Sequence, residues 1–234
     1  MSRRTELELS LTSYGRSERG VSLDYLKPEV PCELLIVAGI HGEESDGVIS
    51  LSRAFRSISP LVISPSIAAV FCANPDGVIL GTRGNANGVD LNRNFPASNW
   101  SPDPSTCRWH ADEDETIPIF TGKEPGSESE TKAIISLIKA LKPAQILTLH
   151  GPLACVDDPN QSPLGQWIAK RTKLSLVQDI GYPTPGSMGS WASEAGIPII
   201  TWEFPPDGVE ALSRSQVPVI ADIISGNFPG GNEL

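Results

Sequence analysis

The feature that most limits the fold of this chain is a set of short apolar runs, each followed by a polar side chain. Such runs lie at Glu33–Ala38 before His41, at Ser66–Ala73 before Asn74, at Gln145–Leu149 before His150, and at Ile197–Trp202 before Glu203. Runs of this length between turn residues are typical of buried strands. Segments with helical spacing separate them, which predicts a mixed, mostly parallel sheet covered on both faces. Ligands bind at the carboxyl edge of such sheets.

The segments between the runs complete a prediction of one α/β domain over residues 1–234, an α/β/α sandwich. Thr5–Tyr14 alternates like a half-buried edge strand, and Asn74–Gly77 reads as a turn. The predicted helices are Gly47–Phe55, Ser127–Leu141, Leu164–Lys173, Ser187–Ala195 and Ser215–Ile224. Ser127 and Glu130 have the spacing of a capping box. Residues 75 to about 127 lack periodicity, and so long a segment favours function.

Composition excludes several classes of protein. A net charge of -10 argues against a nucleic-acid surface. No apolar run approaches the roughly 18 residues of a membrane helix, and Arg3 and Arg4 have no apolar stretch of a secretion signal behind them. The four cysteines show no C-x-x-C pair, which favours a reducing cytoplasm. We therefore expect a cytoplasmic protein that binds a small peptide, and the sequence leaves a homodimer open.

The spacing of His41 and Glu44 indicates a metal site. An imidazole nitrogen and a carboxylate oxygen three residues apart can reach one ion. A catalytic zinc takes three protein ligands and keeps one position open. His150, at a second strand end, is the candidate third ligand. A lone histidine is more often structural, and His110, in an acidic stretch, is expected to be an ordinary loop residue.

A second motif lies in Gly81–Pro96, which reads GTRGNANGVDLNRNFP. It can be a solvated turn rich in glycine and asparagine. Alternatively, the Arg93 guanidinium can hold a carboxylate through two parallel hydrogen bonds, with the Asn92 amide beside it. Arg83 can then stabilise an oxyanion, and Asp90 can accept the second ring N–H of a metal-bound histidine.

These motifs, in this order, resemble those of the zinc metallocarboxypeptidases from about residue 33 to residue 205. The resemblance implies one zinc ion bound by His41, Glu44 and His150, with Glu203 as the general base in amide hydrolysis.

For the substrate, the resemblance implies that Asn92 and Arg93 bind a terminal carboxylate and that Arg83 faces the oxyanion. It places Asp90 beside the first histidine. Tyr182 is the candidate for the family's mobile tyrosine.

Three further segments are similar to the bacterial murein tripeptide amidases: Leu149–Pro159, Tyr182–Trp191 and Trp202–Pro206. That resemblance implies hydrolysis of the γ-D-glutamyl–meso-diaminopimelate bond during peptidoglycan recycling. Asp157 or Asp158 would meet the distal ammonium of diaminopimelate, although both also read as turn acids before Pro159. The alternatives are a zinc amidoacylase of the aspartoacylase or succinylglutamate desuccinylase type, and a non-catalytic muropeptide-binding protein.

Overall fold

The computed structural model describes residues 9–108 and 116–231. Its strands are β1 (Leu11–Arg16), β2 (Ser22–Leu26), β3 (Leu34–Ala38), β4 (Ile67–Val70), β5 (Ser105–Arg108), β6 (Thr116–Ile119), β7 (Gln145–His150), β8 (Cys155–Asp157), β9 (Ser175–Val177) and β10 (Ile199–Glu203). Eight of them form one sheet in the order β1-β2-β4-β3-β7-β10-β8-β9, and β5 and β6 form a hairpin.

The main sheet is mixed, with a parallel centre. Strands β4, β3, β7 and β10 run parallel, as do β8 and β9. The pairs β1–β2, β2–β4 and β8–β10 are antiparallel. Strand β10 lies between β7 and β8, so Glu203 is level with His150 on one side and with Cys155 on the other. The ends of β3, β7 and β10, which precede or carry His41, His150 and Glu203, therefore meet at one edge of the sheet.

Helices cover both faces, which confirms the predicted α/β/α sandwich. They are α1 (Ser45–Ser57), α2 (Pro75–Leu80), α3 (Ser129–Leu141), α4 (Pro163–Thr172), α5 (Met188–Glu194), α6 (Val209–Ser215) and α7 (Val217–Ile224). Helices α1, α4, α6 and α7 pack against one face, and α3 and α5 against the other. Among the residues described, no helix has the length and apolar character needed to cross a bilayer.

The side chains of each central strand alternate between two cores. In β3, Ile36 and Ala38 pack toward α1 and α7, whereas Leu35 and Val37 pack toward α3. All five residues of β3 are buried. Full burial of one such aliphatic side chain contributes about 1.5–3 kcal/mol, so the central strands fix the register of the site residues that follow them.

Two predictions at the start of the chain need correction. The first strand is β1, which begins at Leu11 and continues to Arg16, and residues 5–8 of the predicted strand lie outside the described residues. It does lie at the sheet edge, as expected. Asn74–Gly77 is not a free turn, because Asn74 is the N-cap of α2 and its Oδ1 accepts a hydrogen bond from Gly77 N.

The capping box predicted at Ser127 and Glu130 is wrong. Helix α3 begins at Ser129 with Glu128 as its N-cap and no side-chain capping bond. Ser127 Oγ instead bonds the Glu128 carboxylate, and Glu130 is buried, where it accepts hydrogen bonds from Asn85 Nδ2 and Glu18 N. Neither side chain is therefore available for the predicted cap, because Ser127 bonds its neighbour Glu128 and Glu130 bonds two residues that are distant in sequence.

Other elements had no sequence prediction. Strands β2, β8 and β9 are short, and the segment from residue 75 to 127 contains α2, a 3₁₀ turn at Leu91–Arg93 and the β5–β6 hairpin. The last predicted helix, Ser215–Ile224, corresponds to α7, which begins at Val217, and α6, which begins at Val209, had no sequence prediction. His110, expected to be a loop residue, lies outside the described residues.

Candidate active site

His41, Glu44 and His150 form a group that can hold a metal ion. His41 Nδ1 lies 2.7 Å from Glu44 Oε1, His150 Nδ1 lies 2.9 Å from Glu44 Oε2, and the two Nδ1 atoms are 3.2 Å apart. Tetrahedral zinc with bonds of about 2.0–2.1 Å places its ligands about 3.3 Å apart. Two imidazoles and one carboxylate at this separation fit zinc in both geometry and donor type.

The electrostatics of this group favour a cation. Burial and Arg83 oppose a positive charge on His41, but Glu44 and Asp90 outweigh them and raise its pKa to about 9. Burial raises the pKa of Glu44, yet His41 and His150 more than compensate and hold it well below its ordinary value. The ionised Glu44 lies at the start of α1 without making a capping bond, because its carboxylate is directed at the two histidines.

A close approach of two loops positions His41. A Cβ added to Gly42 would lie 2.1 Å from the carbonyl carbon of Gly77, so only glycine fits there. Gly42 N donates to Arg83 O, and Asn74 Nδ2 donates to Ile40 O. The glycine beside the histidine thereby brings the loop that carries Arg83 against the end of β3.

Asp90 connects His41 to Arg83. Its Oδ1 lies 3.1 Å from His41 Nε2, and its Oδ2 accepts a 2.9 Å hydrogen bond from Arg83 Nε. Burial raises the pKa of Asp90, but Arg83 and His41 dominate and hold it well below its usual range. A carboxylate on Nε2 fixes the ring with Nδ1 toward the metal position, as in many metal sites.

Arg83 lies in the site, with its guanidinium already shared among acids. Nη1 is 3.1 Å from Glu43 Oε1 and 3.2 Å from Glu44 Oε1, in addition to the bond to Asp90. Sequence reasoning missed Glu43, because an acidic residue inside H-x-x-E carries no signal of its own.

Arg93 and Asn92 differ from Arg83 in that neither side chain is bound to an acidic residue that the structure describes. Arg93 is 8% exposed, and among the described residues no carboxylate lies within ion-pair distance of it; its Nη1 donates only to Asn92 O. Burial lowers the pKa of this guanidinium. Asn92 Oδ1 accepts from Met188 N, which ties the loop to the start of α5. A buried arginine without an acid is suited to receive a carboxylate.

Glu203, the last residue of β10, is 7% exposed, and its Oε2 has no hydrogen-bond partner among the described residues. Burial raises its pKa, with Glu44 adding to the effect while His150 opposes it. A carboxyl group with an unused oxygen and a raised pKa is suited to exchange protons.

The structure separates the two aspartates after His150. Asp157 ends β8, and its Oδ1 is buried without a hydrogen-bond partner in residues 9–108 and 116–231. Asp158 is 1% exposed, and its carboxylate accepts hydrogen bonds from Asn160 N, Ser162 N and Ser162 Oγ. Asp158 therefore holds the loop that leads into α4 with both of its carboxylate oxygens, and Asp157 is the acid of the pair that lines the neighbouring cavity.

Tyr182 and Asp157 line a cavity of about 560 Å³ between β8, β10 and the start of α5. Tyr182 is 49% exposed. Burial raises its pKa, and Glu203 and Arg93 are close enough to act on it in opposite directions. The cavity therefore adjoins the residues of the candidate site.

Comparison with known proteins identifies the class of protein. The sequence pattern of the zinc carboxypeptidase family matches residues 7–153, and the chain belongs to that family. His41, Glu44 and His150 lie inside the matched segment, and Glu203 lies beyond it.

Particular relatives are more similar still. Murein peptide amidase A of Escherichia coli K12 is 44% identical over 214 residues, covering 90% of this chain and 88% of the relative. The enzyme of the same name from Vibrio campbellii is 41% identical over 198 residues, 83% of this chain and 79% of its own.

Two solved structures agree with the fold. A murein-tripeptide amidase from Escherichia coli O157 superposes with a TM-score of 0.88 at 42% identity, covering 92% of each chain. Carboxypeptidase A from Helicoverpa armigera gives a TM-score of 0.69 at 18% identity, covering 92% of this chain and 68% of the other, and supports the fold alone.

Proposed function

We propose that this chain is a zinc-dependent amidase that hydrolyses the γ-D-glutamyl–meso-diaminopimelate bond of the murein tripeptide L-Ala-γ-D-Glu-meso-diaminopimelate. The observation that best supports this is the buried Arg93, which forms no ion pair with a described residue and lies next to Asn92 in the same site as a zinc-type donor set. The similarity to murein peptide amidases over 90% of the chain supports the choice of substrate.

In this proposal His41, Glu44 and His150 hold one zinc ion, and Asp90 orients the first histidine. When bound, zinc supplies Lewis acidity that lowers the pKa of a water ligand toward about 7 and polarises the scissile carbonyl.

Glu203 is proposed as the general base. Its unpartnered Oε2 accepts a proton from the attacking water and returns it to the leaving amine, as a carboxyl with a raised pKa can do in both directions. This free oxygen also argues against a purely binding role, which would not need it.

Arg93 and Asn92 are proposed to hold the terminal carboxylate, so that the last amide bond lies at the metal. Arg83 stabilises the negative charge that develops on the carbonyl oxygen, and its contacts with Glu43 and Asp90 fix its position for that task. Tyr182 closes over the substrate from the mouth of the cavity.

The test is hydrolysis of the synthetic tripeptide by zinc-loaded protein. Release of free diaminopimelate, with no cleavage of N-acetylaspartate or N-succinylglutamate in parallel reactions, is the expected result. Cleavage of an N-acyl amino acid with an intact tripeptide would establish the amidoacylase alternative. Tripeptide binding without turnover would establish the binding protein.

A cytoplasmic location and a role in peptidoglycan recycling belong to the same proposal. Cys32, Cys72 and Cys155 are free thiols, the state that a reducing compartment preserves. Fractionation of cells that produce the protein tests this: recovery with the periplasmic or membrane fraction would contradict it.

A further inference from the structure

The cavity beside β8 carries negative charge that nothing in its lining balances. Its walls include Asp157 and Asp179, and no lysine, arginine or histidine is among the described residues that line it. Neither acid forms an ion pair with a described residue. Asp179 Oδ1 accepts a hydrogen bond from Gly181 N, and Asp157 Oδ1 is buried with no partner in the described part of the chain. Leaving a buried acceptor unpaired is costly unless a ligand supplies the donor.

Electrostatic repulsion between Asp157 and its acidic neighbours also indicates that this cavity is suited to a cationic ligand. Burial, followed by the charges of Asp179, Glu203 and Asp158, raises the pKa of Asp157 to about 6. A cation bound between Asp157 and Asp179 would relieve this repulsion.

The cavity also offers amide groups. Asn160 and Gln178 line it, both are exposed to solvent, and neither side chain makes a hydrogen bond to a described residue. Each side-chain amide has two N–H donors that can bind a carboxylate. Acceptors with negative charge and free neutral donors therefore share one cavity, which distinguishes it from a simple acidic surface.

The position of the cavity relates it to the terminal residue of the substrate. Ser187 and Gly189 line it on either side of Met188, whose N–H holds Asn92. Thr201, two residues before Glu203 and on the same face of β10, forms part of another wall. A residue whose carboxylate is bound by Arg93 would therefore extend its side chain into this cavity.

The geometry points to Asp157 and Asp179 as the pair that binds a distal ammonium group on the substrate's terminal residue, with Asn160 and Gln178 binding the carboxylate next to it. The ligand class is a diamino dicarboxylic acid whose side chain ends in its own ammonium and carboxylate. This inference rests on the proposed function and assigns specificity within it.

Three tripeptides that differ only in the terminal residue test the inference: meso-diaminopimelate, lysine without the distal carboxylate, and 2-aminopimelate without the distal ammonium. The native protein is expected to prefer the first over the third by about 10²-fold or more in kcat/KM, because the analogue leaves the buried Asp157 Oδ1 unpaired. Asp157→Asn is expected to lower kcat/KM for the first by about 10–10³-fold and to change the third by less than about threefold.

Asp179→Asn provides an independent variant, since its side chain is exposed and the substitution does not endanger folding. The double substitution Asn160→Ala, Gln178→Ala is expected to reduce the preference for diaminopimelate over lysine by about 3–10-fold. Asp24→Asn on β2, at the opposite end of the sheet, removes the same charge and should leave all ratios unchanged.

The outcomes separate the two claims. If the native protein cleaves none of the tripeptides, the proposed function fails and this inference with it. If the native protein cleaves the diaminopimelate tripeptide and both Asp157→Asn and Asp179→Asn keep the native ratio of first to third substrate, the inference alone is overturned.

Discussion

Among the residues that the structure describes, two groups of histidine or glutamate side chains have the spacing of a metal site, and they differ in what surrounds them. The His–Glu cluster consists of His41, Glu44 and His150, and the triple-glutamate cluster consists of Glu18, Glu128 and Glu130. In the second, Glu128 accepts hydrogen bonds from Asn85 Nδ2, Asn87 Nδ2 and Ser127 Oγ. Glu130 accepts from Asn85 Nδ2 and Glu18 N.

The difference shows that proximity of acids does not by itself define a metal site. The carboxylates of the triple-glutamate cluster are used to fasten the Asn85 loop to the start of α3. In the His–Glu cluster both imidazoles direct a nitrogen toward Glu44, and zinc prefers such mixed nitrogen and oxygen donors over oxygen alone. We therefore expect one zinc ion per chain.

The largest expected effect comes from His150→Ala. Removing one of three ligands should reduce bound zinc from about one equivalent to a small fraction and abolish turnover, since the two remaining ligands make an incomplete site. Elemental analysis of the dialysed protein measures this. Retention of a full equivalent of zinc would mean that the metal binds elsewhere, with the triple-glutamate cluster as the candidate.

Glu203→Gln should separate metal binding from chemistry. The amide keeps the shape of the side chain but cannot take a proton, so kcat should fall by about 10²–10⁴-fold while zinc content stays unchanged. Steady-state kinetics on the tripeptide, with zinc determined in the same samples, gives both numbers. Native kcat in this variant would remove Glu203 as the base.

Asp90→Asn should have an intermediate effect on the His–Glu cluster. The variant loses the charge that holds His41 Nε2 and Arg83 Nε, and zinc affinity is expected to fall by about 10–100-fold. Competition with a chelator of known affinity measures the change. An unchanged zinc affinity would mean that the histidine does not depend on Asp90 for its orientation.

Glu128→Gln tests the triple-glutamate cluster directly. Its amide nitrogen would face the donors of Asn85 or Asn87, so the free energy of unfolding should fall by about 1–3 kcal/mol while zinc content stays at one equivalent. Urea denaturation measures the stability, and Glu18→Gln, at an exposed position, is the matched control with a smaller loss. Loss of zinc from Glu128→Gln would contradict the structural role.

The smallest expected effect concerns Asp157. Among the described residues it has neither the histidine partners of the His–Glu cluster nor the amide donors of the triple-glutamate cluster. Its pKa is raised from 3.8 to about 6, so the fold disfavours the ionised form. This cost is complete above about pH 6, declines as the pH falls, and is absent below about pH 3.8. Asp157→Asn should therefore raise the free energy of unfolding by about 1 kcal/mol at pH 7.5, a value reduced by solvent screening, and by much less at pH 4.

Urea unfolding at the two pH values checks this prediction. A stabilisation of equal size at both would mean that the repulsion from Asp179, Glu203 and Asp158 is not its cause.

The sequence predicted those parts of the site that follow directly from strands. Because β3, β7 and β10 are buried and neighbouring, the residues at their ends had to meet, which brings His41, His150 and Glu203 together. The sandwich follows from the same alternation of strand and helix.

Features that depend on contacts between distant segments escaped prediction. Asp157 and Asp158 look alike in sequence, and only the short strand β8 decides that the first faces the cavity while the second turns toward Ser162. Asp179 has no local signature. The false capping box at Ser127 shows the same limit, since Glu130 accepts a hydrogen bond from Asn85, which is more than forty residues away in sequence.

The position of β10 between β7 and β8 has a consequence for how the protein is made. The ribosome delivers β7, β8 and all three side chains of the His–Glu cluster before the central strand that separates them. A nascent chain that ends before residue 199 lacks Glu203 and one wall of the cavity. Because domains fold as units, the proposed site, with Glu203 as its base, would be complete only when this strand joins the sheet. An unfinished chain would lack that base and would not hydrolyse the peptides around it.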